Sequence, residues 1–334
     1  MRHLFLGIAV SVLASGFAAS ALAQSGAECH RIESVAERVA CYDRVTGRAA
    51  AAPAATAGSA GTTAATAPRE SMIDTMWAYG PNASRYDISL YRSNYILVGR
   101  YTDNANVEPF KPLFAAAGKD PTYENVEAKF QVSFKGRVWT TEDTRYGLWF
   151  AYTQQSNWQV YSGDTSRPFR DTNYMPEIFG TMRTDVQLPL GLRLGVVKVG
   201  FNHQSNGRSD VLSRSWNRLI AETSLESENL LITARAWHRL SEDAKEDDNP
   251  EITKYLGHAE IGALYRWRGH SFTGTVRGNI GSGKGFGQVG WTTPKVLGPL
   301  RIYVQATTGY GESLIDYNWN QNTIGIGVSL NEAL

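Results

Sequence analysis

An excess of either charge is missing from this chain: 33 Lys and Arg stand against 32 Asp and Glu, a net of +1. That balance leaves no electrostatic footprint for nucleic acid and excludes it as a partner. Long apolar runs are missing too. Beyond the first residues, no segment offers the ~20 consecutive apolar positions that a spanning helix needs. Cysteine is scarce, with only Cys29 and Cys41. His30, His238, His258 and His270 show no metal-ligand spacing. "GNIGSGKG", from Gly278 to Gly285, imitates a phosphate-binding loop but has Gly285 where Ser or Thr is required.

What is present begins with an export signal. Residues 1–23 carry a basic start at Arg2, an apolar run from Leu4 and a small-residue cleavage site at Ala21-Leu22-Ala23. The chain is also rich in aromatics, with 9 Trp and 16 Tyr. An exported, aromatic-rich chain that alternates in short runs suggests an outer-membrane β-barrel, with a secreted β-sandwich as the compositional alternative.

Three N-terminal parts precede that region. After the signal, residues 24–45 form a small periplasmic segment. Its "HRIESVAERVA" puts Ile32, Val35, Ala36 and Val39 at helical spacing. Export makes a Cys29–Cys41 bridge plausible. Twelve residues of straight helix would span about 18 Å, so a bridge requires a shorter helix and a chain that folds back. Residues 46–70 are Ala, Thr, Gly and Pro and read as a flexible linker.

Residues 71–334 then divide into about twelve strand-like blocks, near residues 88, 125, 145, 176, 192, 216, 229, 255, 271, 285, 300 and 320. In "NVEAKFQVSFK", Val126, Ala128, Phe130, Val132 and Phe134 share one face, and Glu127, Lys129, Gln131, Ser133 and Lys135 share the other. Charges on the second face suit a polar lumen better than a packed sandwich. The expected fold is therefore all-β, a twelve-stranded antiparallel transmembrane barrel. Connections after even-numbered blocks are mostly short, and those after the first, third and seventh are long and polar. The barrel rule then puts both termini in the periplasm and the long loops outside.

"GVVKVGFNHQSNGRSD" carries the chemistry. Val197, Val199 and Phe201 make an apolar outward face that continues into His203 and Ser205. If the hairpin turns about Asp210, Asn217 of the returning strand lies opposite His203. Ser, His and Asn have the composition of a nucleophile, a base and an orienter. The alternative is an inert interfacial cluster. Gln204 between them should point to the lumen. No G-x-S-x-G elbow surrounds Ser205, which excludes the usual soluble lipase fold.

"FNHQSNGRSDVLSRSWNRL" resembles the signature of the outer-membrane phospholipase A family. "SRPFRDTNYMPEIF", "DDNPEITKYLG" and "GYGESLIDYNWNQ" also match, and the likeness covers roughly Arg85 to Leu330. The resemblance implies a calcium-dependent barrel that hydrolyses phospholipid acyl esters, of phospholipase A1/A2 and lysophospholipase type, active as a homodimer in the outer leaflet. Carried across, Ser205 is the nucleophile, His203 the base and Asn217 the third member. The backbone amides of Ser205 and Gly207 would form the oxyanion hole. Calcium (Ca2+) would be held by the Ser213 side chain and the Arg208 carbonyl, with Ser166 of the partner subunit. Asp210 and Asp248 match a second calcium site, and Gln154 a polar dimer contact. Two rivals remain at this point, a lipid A deacylase and a catalytically inert barrel.

Overall fold

Alternation decides which side of each strand meets lipid. In the segment Val126–Thr140 the even positions Val126, Val132, Phe134 and Val138 are exposed, with Val132 at 49% and Phe134 at 40%, while Phe130 is partly covered and the small Ala128 is buried. Their neighbours Glu127, Lys129, Ser133 and Lys135 are almost fully buried. This is a soluble domain turned inside out: greasy outside, charged within.

The computed structural model describes residues 29–46, 71–79, 84–163 and 166–334. The signal reading of residues 1–23 and the linker from 47 to 70 lie outside these described residues. The first unit of the chain contains a helix, Val35–Val45. Cys29 lies before it and bonds to Cys41 within it, with Cα atoms 5.6 Å apart. The chain bends between them: Ile32 N donates to Cys29 O over 3.3 Å, outside the helix. The helix thus starts later than the Ile32 spacing suggested, which is what makes the bridge possible.

The second unit is a sheet of thirteen antiparallel strands. They are β1 (Ile88–Leu90), β2 (Tyr95–Thr102), β3 (Val126–Thr140), β4 (Tyr146–Trp158), β5 (Phe169–Gln187), β6 (Arg193–Ser205) and β7 (Ser215–Glu226). β8 (Leu230–Arg239), β9 (Ala259–Trp267), β10 (His270–Asn279), β11 (Lys284–Leu297), β12 (Leu300–Tyr310) and β13 (Asn320–Ser329) complete it. Each of β2 to β12 pairs with its successor, and β13 pairs back onto β2, which closes a twelve-stranded barrel. The additional strand, β1, pairs with β3 beyond the end of β2. The first block is therefore one stave broken in two. Asn94 replaces ladder bonds at the break: its Nδ2 donates to Ser133 O over 3.0 Å, and its Oδ1 accepts from Ser133 N over 2.7 Å.

Loop lengths sort as expected. One rim carries the connections 103–125, 159–168, 206–214, 240–258 and 311–319, and the other carries only short turns. The short-turn rim exposes Trp139, Tyr146, Tyr265, Trp267 and Trp291, the aromatic belt of a barrel at a membrane interface. "GNIGSGKG" is a hairpin between β10 and β11, with no helix after it. Among the described residues no helix is long and apolar enough to cross a membrane.

Both mouths are stopped. At the short-turn end, the helix Met72–Trp77 buries Met72, Ile73 and Trp77 against Trp149, Phe179, Val196 and Leu231. Ser71 caps it, accepting from Asp74 N over 2.9 Å. Lys135 Nζ lies 3.6 Å from the Trp77 ring centroid, which offsets part of its burial. At the other end the connection 311–319 dips inward, burying Glu312, Leu314, Ile315 and Asp316. Glu312 binds Arg100 and Lys129, Asp316 binds Arg170, and Glu127 joins Arg100 to Arg170. Burial alone would raise the Glu312 pKa, but Arg100 and Lys129 outweigh it and hold the carboxyl well below the usual range. Buried charges cost several kcal/mol each when unpaired, so this network depends on its acids and bases being matched.

Candidate active site

β6 and β7 meet in an unbroken register near the long-loop rim: Phe201 opposite Leu219, His203 opposite Asn217, Ser205 opposite Ser215. Val199 and Leu219 on this face are 62% and 51% exposed. Residues of the other parity point inward. Lys198, Asn202, Trp216 and Ile220 are buried, and Gln204 Oε1 accepts from Trp216 Nε1 over 3.0 Å and Arg218 Nη2 over 3.1 Å. His203, Ser205 and Asn217 therefore project from the outer wall, half-buried, and Gln204 occupies the lumen as expected.

His203 Nδ1 and Asn217 Oδ1 are 2.9 Å apart. Asn217 Nδ2 donates in turn to Glu242 Oε1 over 3.1 Å. Ser205 lies two positions from His203 on the same face, next to Tyr174 of β5. Among the described residues Ser205 Oγ has no hydrogen-bond partner, His203 included. Such bonds are often long before substrate binds.

The turn after Ser205 is held by a residue the sequence reading passed over. Asn206, buried, donates through Nδ2 to Leu212 O over 2.8 Å and accepts at Oδ1 from Arg214 N over 3.0 Å. Gly207 follows with φ +62, and a Cβ there would come 2.9 Å from the Tyr174 ring. Both facts require glycine.

The expected calcium residues fall in adjoining loops. Ser213 Oγ donates to Asp248 Oδ2 over 2.5 Å, which joins one residue from each of the two expected sites. The Arg208 guanidinium turns to the carbonyls of Phe169 and Arg170. Asp210 opens a short 3-10 turn, Asp210–Leu212, and is exposed. Ser166 is exposed in the β4–β5 connection. Among the described residues no three His, Cys, Asp or Glu gather as a metal cluster. The oxygens present are a hydroxyl and a carboxylate, which suit a hard cation. Gln154 is on the outer face of β4, accepting from Tyr152 OH over 3.1 Å and donating to Ser156 Oγ over 3.4 Å. The acidic stretch "SEDAKEDDNPE", residues 241–251, is largely solvent-exposed but is tied to β7 at both ends: just before it Leu240 N donates to Asn217 O, and Asn249 Oδ1 accepts from Ser215 N.

A family model described as Phospholipase A1 matches residues 75–330. A phospholipase A1 of Klebsiella pneumoniae is 38% identical over a stretch covering 72% of this chain and 82% of that protein. Among solved structures, outer membrane phospholipase A from Escherichia coli superposes with a TM-score of 0.69 at 34% identity, over 78% of this chain and 98% of that one. A Salmonella typhi outer membrane phospholipase, solved as a dimer with bound calcium, gives a TM-score of 0.69 at 35% identity, over 79% and 98%. With the family match running through nearly the whole barrel and relatives this similar, the chain belongs to the phospholipase A1 family of carboxylic ester hydrolases.

Proposed function

We propose that this barrel hydrolyses acyl esters of phospholipids in the outer leaflet of the outer membrane, using Ser205, His203 and Asn217. The observation that carries the reading is the Nδ1–Oδ1 contact of 2.9 Å between His203 and Asn217 on the outward face. With Nδ1 protonated and held by Asn217, Nε2 is the free base. It takes the Ser205 proton as Oγ bonds to the ester carbonyl carbon. The oxyanion is met by backbone amides at Ser205 and Gly207. His203 then gives the proton to the departing lysophospholipid alkoxide, and the acyl group stays on Ser205. A water, deprotonated by His203, releases the fatty acid and returns the proton to Ser205.

Ser213 and the Arg208 carbonyl are the chain's own candidates for a calcium ion, with Ser166 of the partner subunit; Asp210 and Asp248 are the candidates for a second, and the hydrogen bond from Ser213 to Asp248 brings the two positions together. When bound, calcium would polarise the ester oxygen and stabilise the developing negative charge. A site with ligands from two copies links activity to dimerisation, and Gln154 is a polar candidate at the contact between barrels. The similarity to a dimeric, calcium-bound relative supports this coupling. The plugged lumen weighs against a passive pore. The deciding assay is phosphatidylethanolamine hydrolysis by purified protein with calcium and then with chelator. Full activity in Ser205→Ala rejects the triad; activity indifferent to chelation rejects the metal.

A further inference from the structure

Glu242 stands in the acidic connection 240–258, three residues past the end of β8, with its carboxylate on Asn217. The chemistry of this contact is one-directional. An ionised carboxylate only accepts hydrogen bonds, so the group of Asn217 that faces it must be the amide nitrogen. The amide oxygen must then face His203 Nδ1, which can be so placed only as a donor. A ring with Nδ1 protonated leaves Nε2 unprotonated, on the side available to Ser205. Without Glu242 the Asn217 amide can flip, present N–H to His203 and favour the opposite tautomer.

The geometry assigns Glu242 as the positioning residue of the site: by holding the Asn217 amide in one orientation, it fixes the His203 tautomer. Behind Ser205 stand three linked groups, His203–Asn217–Glu242, in which the last member returns a negative charge behind a neutral amide. The backbone supports the arrangement, since Leu240 N donates to Asn217 O over 2.8 Å and anchors the loop two residues before Glu242. Glu242 itself is only half-buried, so its charge remains partly solvated where a carboxylate in the Asn217 position would face acyl chains directly.

This inference rests on the Ser205–His203–Asn217 reading, and the test separates the two. Phospholipid hydrolysis is measured for the full chain and for Ser205→Ala, Asn217→Ala, Glu242→Ala, Glu242→Gln and Asn217→Ala/Glu242→Ala. Loss of activity in S205A, with the barrel folded, upholds the triad independently of Glu242. Glu242→Ala is expected to lower kcat about tenfold, the worth of one hydrogen bond to a charged group, with KM and the calcium midpoint unchanged. Glu242→Gln, whose side-chain oxygen can still accept, recovers most of that loss. The double variant is no slower than Asn217→Ala alone, because Glu242 has nothing left to orient. A wild-type kcat in Glu242→Ala, additive losses in the double variant, or a shifted calcium midpoint would each overturn the assignment.

Discussion

Trp216 donates its indole N–H to Gln204 over 3.0 Å on the inner face of β6 and β7, one step from the His203–Asn217 contact on the outer face. Two adjacent cross-strand pairs thus serve opposite sides of one wall. Gln204→Ala leaves the buried Trp216 donor without its acceptor, while Arg218 keeps Asn202, a loss of about 1–3 kcal/mol. Thermal unfolding of the barrel should show it, while kcat stays within about twofold of wild type.

On the proposed reading, replacing Ser205 or His203 by Ala should reduce turnover by about a thousandfold or more, since a nucleophile and its base act as a unit. Hydrolysis measured beside the heat-dependent gel mobility of the folded barrel distinguishes this from misfolding.

Asn217→Asp should be slower than its chemistry alone suggests, because the new carboxylate faces Glu242 across 3.1 Å and like charges oppose ionisation there. Pairing it with Glu242→Gln removes the repulsion and is expected to restore activity several-fold. Steady-state rates of the single and double variants give the comparison.

These predictions rest on geometry that was largely written in the chain. Strand parity alone placed His203 and Ser205 on the lipid side, and a turn centred on Asp210 placed Asn217 opposite. Glu242 was not legible: it is one acid among several in a segment without periodicity, and only docking of Leu240 on β7 selects it. The two plugs escaped for a similar reason. Leu314 and Ile315 are consecutive apolar residues with no alternation, and Met72–Trp77 is a helix too short to announce itself. The break between β1 and β2 depends on side-chain bonds from Asn94 that spacing cannot express.

Ser213 and Asp248 share a hydrogen bond of 2.5 Å, so on the proposed reading the two calcium positions adjoin and a change at either should be felt in calcium binding. Ser213→Ala and Asp248→Asn are each expected to raise the calcium concentration for half-maximal hydrolysis by about tenfold or more. Calcium titration of the initial rate checks it; an unchanged midpoint in both would remove these residues from the metal site.

Glu312→Ala leaves Arg100 and Lys129 short of their shared acceptor and should cost about 3–5 kcal/mol. The same carboxyl gives the barrel an acid limit. Its pKa in the fold is depressed below the unfolded value, so its contribution is complete above the ordinary carboxylate range and is lost as pH falls through the folded value. Denaturant unfolding at descending pH should show wild type losing stability towards the level of Glu312→Ala.

With a helix seated in one mouth and a loop in the other, the cylinder offers no axial route for lipid. On the proposed reading, reactants come sideways, by diffusion in two dimensions, and both products of cleavage leave into the same leaflet. Turnover then answers to how many lipid molecules lie per unit area around the wall. A bilayer kept tightly ordered would slow the enzyme without touching a single one of its residues.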